Sequence, residues 1–145
     1  MEKGKFKLSR RSKFARYMND FNVNEADLYR FERENLHGKP MRLGKIILTE
    51  NWIYSTKGLL LPLKEVVWAY WTEELSRHQI YSSNFNVYLH FQNDARVRFD
   101  IDISGLNYIL MLLAERCPNA EISKFSRQRH REWKQNAKQW RAQHR

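Results

Sequence analysis

Five histidines, one cysteine and sixteen carboxylates are the groups in this sequence that could do chemistry. They fall into no catalytic pattern. There is no nucleophile elbow, no glycine-rich phosphate loop and no histidine pair at metal-binding spacing. His130 and His144 stand alone among basic residues, and His37 sits in a helix-ending turn. His90 shares the polar positions of an alternating segment with Tyr88, Arg96, Arg98, Asp100 and Asp102. A carboxylate-oriented general base could be assembled from that set. The same residues also describe the solvated face of a hairpin, its charge pairs each adding well under about 1 kcal/mol, and that is the expectation here. Cys117 has only Arg116 beside it to lower its pKa and reads as a buried or half-buried helix-end residue. The expectation is a chain without an enzyme's machinery: no catalytic residue, no cofactor site and no metal ligand.

Binding chemistry is better represented. Trp52, Trp68, Tyr70 and Trp71 could line an aromatic groove, although strand alternation puts Trp68 and Tyr70 on one face and Trp71 on the other. The richer segment is C-terminal. Its candidate partner-binding residues are Lys124, Arg127, Arg129, Arg131, Trp133, Lys134, Lys138, Trp140 and Arg141, with Phe125 beside them. Cations around indoles suit an amphipathic helix lying on an anionic membrane. They equally suit a helix on nucleic-acid phosphates, or one that docks its aromatics and leaves its basic face in water. Two exposed tryptophans are an aggregation liability, so docking of Trp133 and Trp140 is expected, with the arginines free to meet a partner.

Charge follows the same division. The net charge is +10 over 145 residues. Residues 1–40 carry ten Lys/Arg against six Asp/Glu, residues 41–120 eight against eight, and residues 121–145 eight against two. The basic excess thus belongs to the two ends. Such an excess attracts nucleic acid, anionic membranes and acidic proteins without choosing among them. A hydrophobic content of 42% with 14% aromatics argues for a packed domain and against disorder. No apolar run approaches the roughly 18 residues of a spanning helix, no secretory signal is visible, and one cysteine forms no disulfide within the chain. A cytoplasmic setting is the expectation.

These groups need elements to hold them. Residues 1–13 read as a flexible basic arm running into a helix with Phe14, Tyr17, Met18 and Phe21 on one stripe. Asn24 caps a second helix carrying Leu28, Phe31 and Leu36, closed by a left-handed Gly38 and by Pro40. From Met41 the pattern becomes that of strands. Residues 45–49 and 52–55 form a hairpin about Glu50-Asn51, and residues 59–63 form a short strand whose Pro62 places it at an edge or a strand end. Residues 66–71 form a central or covered strand, and Leu75–Ser83 a polar loop. Phe85, Val87, Leu89 and Phe91, then Val97, Phe99, Ile101 and Ile103, alternate with polar residues, which predicts a hairpin with one buried and one wet face. Ser104 is placed to cap a helix whose Leu106, Ile109, Leu110 and Leu113, extended by Tyr108, Met111 and Leu112, predict burial almost all round before Cys117-Pro118 ends it. Residues 121–145 predict a basic helix, with Ile122, Phe125, Trp133, Ala137 and Trp140 on a broken stripe.

The middle of the chain carries a resemblance. Leu48-Thr49-Glu50-Asn51-Trp52-Ile53-Tyr54 looks like the T-x-x-W-(I/L) hairpin of bacterial pleckstrin-homology-like domains of unknown function. Leu63-Lys64-Glu65-Val66-Val67-Trp68-Ala69-Tyr70 looks like their (D/E)-(I/V)-x-W-x-Y strand, and the helix ending in Cys117-Pro118 resembles their closing helix. The resemblance spans roughly residues 42–120. It implies an α+β fold, a half-open antiparallel barrel or sandwich closed by a helix, here with two short helices in residues 1–40 and a basic helical tail in 121–145. Lipid-binding members clamp inositol phosphates with several cations in the first hairpin. Thr49-Glu50-Asn51 has a carboxylate there and Lys45 as the nearby cation, so specific phosphoinositide binding is not expected. The expected function is a noncatalytic interaction module for a protein or an anionic surface. The alternative is a nucleic-acid-binding protein acting through both basic ends.

Overall fold

In the computed structural model, which describes residues 6–74 and 84–144, the chain divides into two compact units, Met1–Leu63 and Lys64–Arg145. The division falls inside the segment 41–120. Together the described residues form an α+β protein of four α-helices and two four-stranded sheets.

The first unit begins with chain that its neighbours hold. Phe6 packs edge-on against Phe31 and Tyr54, at 5.3 and 5.2 Å between ring centroids. The Lys7 amide donates to the Tyr54 hydroxyl at 3.2 Å, and the Ser9 amide to the Gly58 carbonyl at 2.8 Å. Residues 6–9 are therefore held by their neighbours, in correction of the flexible arm expected there, while Arg10 and Arg11 are exposed; residues 1–5 lie outside the described residues. Gly58 has φ +94°, and a Cβ on it would meet the Ser9 nitrogen at 2.7 Å, so this crossing needs glycine on both counts. Helix α1 (Ser12–Asp20) buries Tyr17 and Met18. Helix α2 (Glu25–His37) starts at a capping box: the Asn24 side chain accepts from the amides of Ala26 and Asp27, and the Asp27 carboxylate accepts from the Asn24 amide. It buries Leu28 and Phe31, while Leu36 is 69% exposed and off the stripe. Gly38 is not left-handed (φ −94°); glycine is needed because a Cβ would lie 2.7 Å from the Glu34 carbonyl oxygen.

Strands β1 (Met41–Leu43), β2 (Ile46–Leu48), β3 (Trp52–Ser55) and β4 (Leu59–Pro62) form an antiparallel meander in that order, with Pro62 on the edge strand as expected. The Glu34 carboxylate holds the β2–β3 turn from α2, accepting from the Thr49 hydroxyl at 2.7 Å, the Asn51 amide at 2.9 Å and the Asn51 side chain at 2.7 Å.

In the second unit β5 (Val66–Glu74), β6 (Asn84–Phe91) and β7 (Arg96–Asp102) are antiparallel, and the two-residue β8 (Glu121–Ile122) joins β5 in parallel. The loop expected over Leu75–Ser83 lies outside the described residues. The hairpin register is as expected on its apolar side through Ile101: Val87, Leu89, Val97 and Phe99 are buried, Tyr88 is half-buried, and Arg96 and Arg98 are exposed. Ile103, expected on the buried side, is instead exposed at the start of the following helix, where the strand alternation has ended. Helix α3 (Ile103–Arg116) contacts β6 and β7 and buries Leu106, Ile109, Leu112 and Leu113. Its cap is Asp102 and not Ser104. The Asp102 carboxylate accepts from the Gly105 amide at 3.1 Å and from the Ser104 hydroxyl at 2.6 Å, and these bonds, the hydroxyl's first, hold its pKa below the usual carboxylate value. Nor is α3 buried all round. Tyr108 and Met111 are 60% and 72% exposed and Leu110 is half-buried, which makes the helix one-sided. The C-terminal segment opens with β8 where helix was expected, and only then forms α4 (Arg127–Gln143), capped by Ser126. Among the described residues no helix is long and apolar enough to cross a membrane.

Candidate functional site

The polar face of the β5–β6–β7 sheet is where the C-terminal residues gather. Cross-strand register puts Trp68 opposite His90, Tyr70 opposite Tyr88, and His90 opposite Arg96. The rings of Trp68 and Tyr70 lie 4.4 Å apart, and His90 lies 4.9 and 5.0 Å from them. Trp68 and Tyr70 are buried, and Trp71 on the other face is half-buried.

Short contacts anchor the segment that leads into α4. The Ser123 amide donates to the Ala69 carbonyl at 3.1 Å, and the Trp68 indole donates to the Ser123 hydroxyl at 3.0 Å. That hydroxyl donates in turn to Glu121. Arg129 donates to the same Glu121 carboxylate at 3.1 Å and reaches the Val67 carbonyl at 3.5 Å beside the irregularity in β5. Its guanidinium lies 5.2 Å from the Trp68 ring. One turn further, Trp133 covers His90 and donates its indole N–H to the Phe91 carbonyl at 2.7 Å. Ala137 completes the buried face.

His90 is therefore fully buried, with neither ring nitrogen hydrogen-bonded. The wet face expected for the hairpin is thus only partly wet: His90, under Trp133, and Asn86 are buried polar residues. Burial first, then the positive Arg96, His130 and Arg129, lowers the His90 pKa from 6.5 to about 3. The ring is a neutral wall of the core, sealed from any substrate. Burial also pushes the Cys117 thiol up to about 12, the opposite of an activated nucleophile.

Of the sequence candidates, Trp133 is core, Arg129 is a half-buried anchor, and Trp140 and Arg141 are half-buried. Trp140 stacks on His144 at 4.0 Å, and Arg141 lies 3.9 Å from the Asp94 carboxylate. Lys124, Arg127, Arg131, Lys134 and Lys138 are exposed. Four of these recur at i, i+4, i+7 and i+11 from Arg127, so Arg127, Arg131, Lys134 and Lys138 form one outward stripe of α4. At 1.5 Å per residue the stripe is roughly 16 Å long. The opposite flank borders an open groove of about 330 Å³, lined by Val67, Gln92, Arg129, Asn136 and Trp140 among others. Sequence reasoning missed Tyr88, Arg96 and His130 as neighbours of this surface, because the strand register and the path of α4 bring them there.

Comparison of the chain with protein-family models, curated proteins and solved structures finds no match.

Proposed function

We propose that the chain is a noncatalytic interaction module that holds an extended anionic partner on the outward stripe of α4. The observation that carries the reading is the stripe itself: four exposed cations in line on a helix whose Trp133 and Ala137 are turned into the protein. An interfacial membrane helix must bury its apolar face among lipids. That face of α4 is already covered by the sheet, so attraction through charge is the mode left to it. The single thiol, buried at Cys117, supports a cytoplasmic setting.

The same reading takes residues 42–120 as a pleckstrin-homology-like scaffold. What supports it is the chain order of two antiparallel meanders, β1–β4 and β5–β7, followed at once by α3. Inositol phosphate is disfavoured at the β2–β3 turn, because Glu34 takes the turn's donors and adds a second carboxylate beside Glu50.

The test is retention of the full chain on an anionic resin across a salt series. Binding should fall log-linearly with salt. Replacing Arg127, Arg131, Lys134 and Lys138 together by Gln should flatten that slope by about one unit for each phosphate no longer neutralised, while leaving the melting temperature nearly unchanged. Unaltered retention and slope in that variant would reject the stripe as the working surface.

A further inference from the structure

Two aromatic rings stay partly in water beside the cationic stripe. Phe125 is 46% exposed, its ring stacked over Trp68 at 6.1 Å and tilted on Tyr70 at 5.2 Å. Tyr88 is half-buried and stacks on the same Tyr70 at 4.8 Å and 16°. Tyr70 thus backs both rings and keeps them from folding away into the core.

Cations stand around this pair. The Arg96 guanidinium lies 5.4 Å from the Tyr88 centroid. Lys124 adjoins Phe125 in the chain and Arg127 follows two residues on, both exposed. His130 lies 6.1 Å from Phe125, and burial first, then the charges of Lys134 and Arg96, lower its pKa, so one cation of the stripe and the β7 arginine act at the same ring.

A partner that uses both features must offer planar rings and negative charge together. An acidic protein surface supplies carboxylates without a repeating planar group, and a duplex keeps its bases stacked inside. A single strand presents open bases and phosphates alternately, the combination that aromatic platforms within basic grooves take. We propose that Tyr88 and Phe125, with Arg96 and the α4 stripe, form a binding site for single-stranded nucleic acid, with bases on the rings and phosphates on the cations. The inference rests on the polyanion reading above and narrows it to one ligand class. The four cations are spread over roughly 16 Å, the span of a short run of phosphates on one strand.

The test uses fluorescence anisotropy on the full chain. The probes are a labelled single strand of roughly 12 nucleotides, as DNA and as RNA, its duplex, and polyglutamate. At least one single strand should bind about tenfold or more tighter than the duplex and polyglutamate. Phe125→Leu keeps apolar cover over Trp68 but removes the π face. It and Tyr88→Leu should each weaken single-strand binding roughly tenfold, with polyglutamate binding unchanged, and Phe125→Tyr should restore it. Melting temperatures within a few degrees of the unaltered chain confirm that each variant is folded. Single strands held no more tightly than polyglutamate or duplex, or indifferent to both ring variants, would overturn the platform. If that binding were still salt-sensitive and abolished by replacing the four α4 cations, the stripe reading would survive. Absence of binding to any of these polyanions would overturn both.

Discussion

The indole of Trp133 stands edge-on to the imidazole of His90, ring centroids 4.2 Å apart at 87°. Its N–H is taken by the Phe91 carbonyl next along β6. One residue of α4 thus closes the sheet over a histidine and satisfies a backbone acceptor beside it. The outward direction of the α4 cations follows from this packing, since Trp133 fixes which side of the helix faces the sheet.

Trp133→Ala should therefore cost about 3–5 kcal/mol, the range for emptying a buried aromatic site, measured by denaturant titration. Trp133→Phe keeps most of the packing and loses the hydrogen bond to a buried carbonyl, so a smaller loss of about 1–3 kcal/mol is expected. A cost below about 1 kcal/mol for the alanine variant would mean that α4 is not docked.

Acid should weaken the protein through His90. In the unfolded chain this imidazole takes a proton near its ordinary value of 6.5, whereas burial and neighbouring positive charge hold the folded value to about 3. Between those values the unfolded state binds more protons, so stability falls as pH drops through that window. The slope from this group is at most about 1.4 kcal/mol per pH unit. Denaturant titrations between pH 7 and about 4 should show it, and His90→Phe should flatten it. An unchanged slope in His90→Phe would assign the acid sensitivity elsewhere.

Glu34 should matter more than a half-buried carboxylate usually does. It accepts from Thr49 and twice from Asn51, tying α2 to the β2–β3 turn. Glu34→Ala should destabilise by about 2 kcal/mol, given the strength of hydrogen bonds to a charged acceptor and a discount for partial solvent screening. Glu34→Gln retains acceptor geometry for part of the set and should cost less. Equal losses in the two variants would show that the charge contributes nothing.

On α3, Leu113→Ala should cost about 2–5 kcal/mol, because Leu113 is fully buried. Leu110 is half-buried, and Leu110→Ala should cost clearly less. Thermal or denaturant unfolding of the pair reads the orientation of the helix directly. The reverse order would mean that α3 is rotated about its axis from the face described.

Much of the local structure was legible in the residues. Alternation from Phe85 to Ile103 predicts the hairpin and its apolar face as far as Ile101, because a one-residue slip would turn every side chain over; Ile103 leaves that face where α3 begins. Asn24 with Asp27 marks a helix start, and Pro62 marks an edge strand, because each meets a backbone requirement within a few residues. The sequence also determined that α4 carries aligned cations, since helical spacing alone puts Arg127, Arg131, Lys134 and Lys138 on one side. Tertiary structure decided which polar positions are wet. His90 and Tyr88 are equivalent in the strand pattern, yet α4 covers the first and leaves the second half open. Likewise Tyr108 and Met111 look like core beside Leu112, and only the direction of the sheet beneath α3 separates them. Periodicity tells which residues share a face; burial depends on what lies over that face, and for β5–β7 the covering segment begins about thirty residues beyond β6 in the chain.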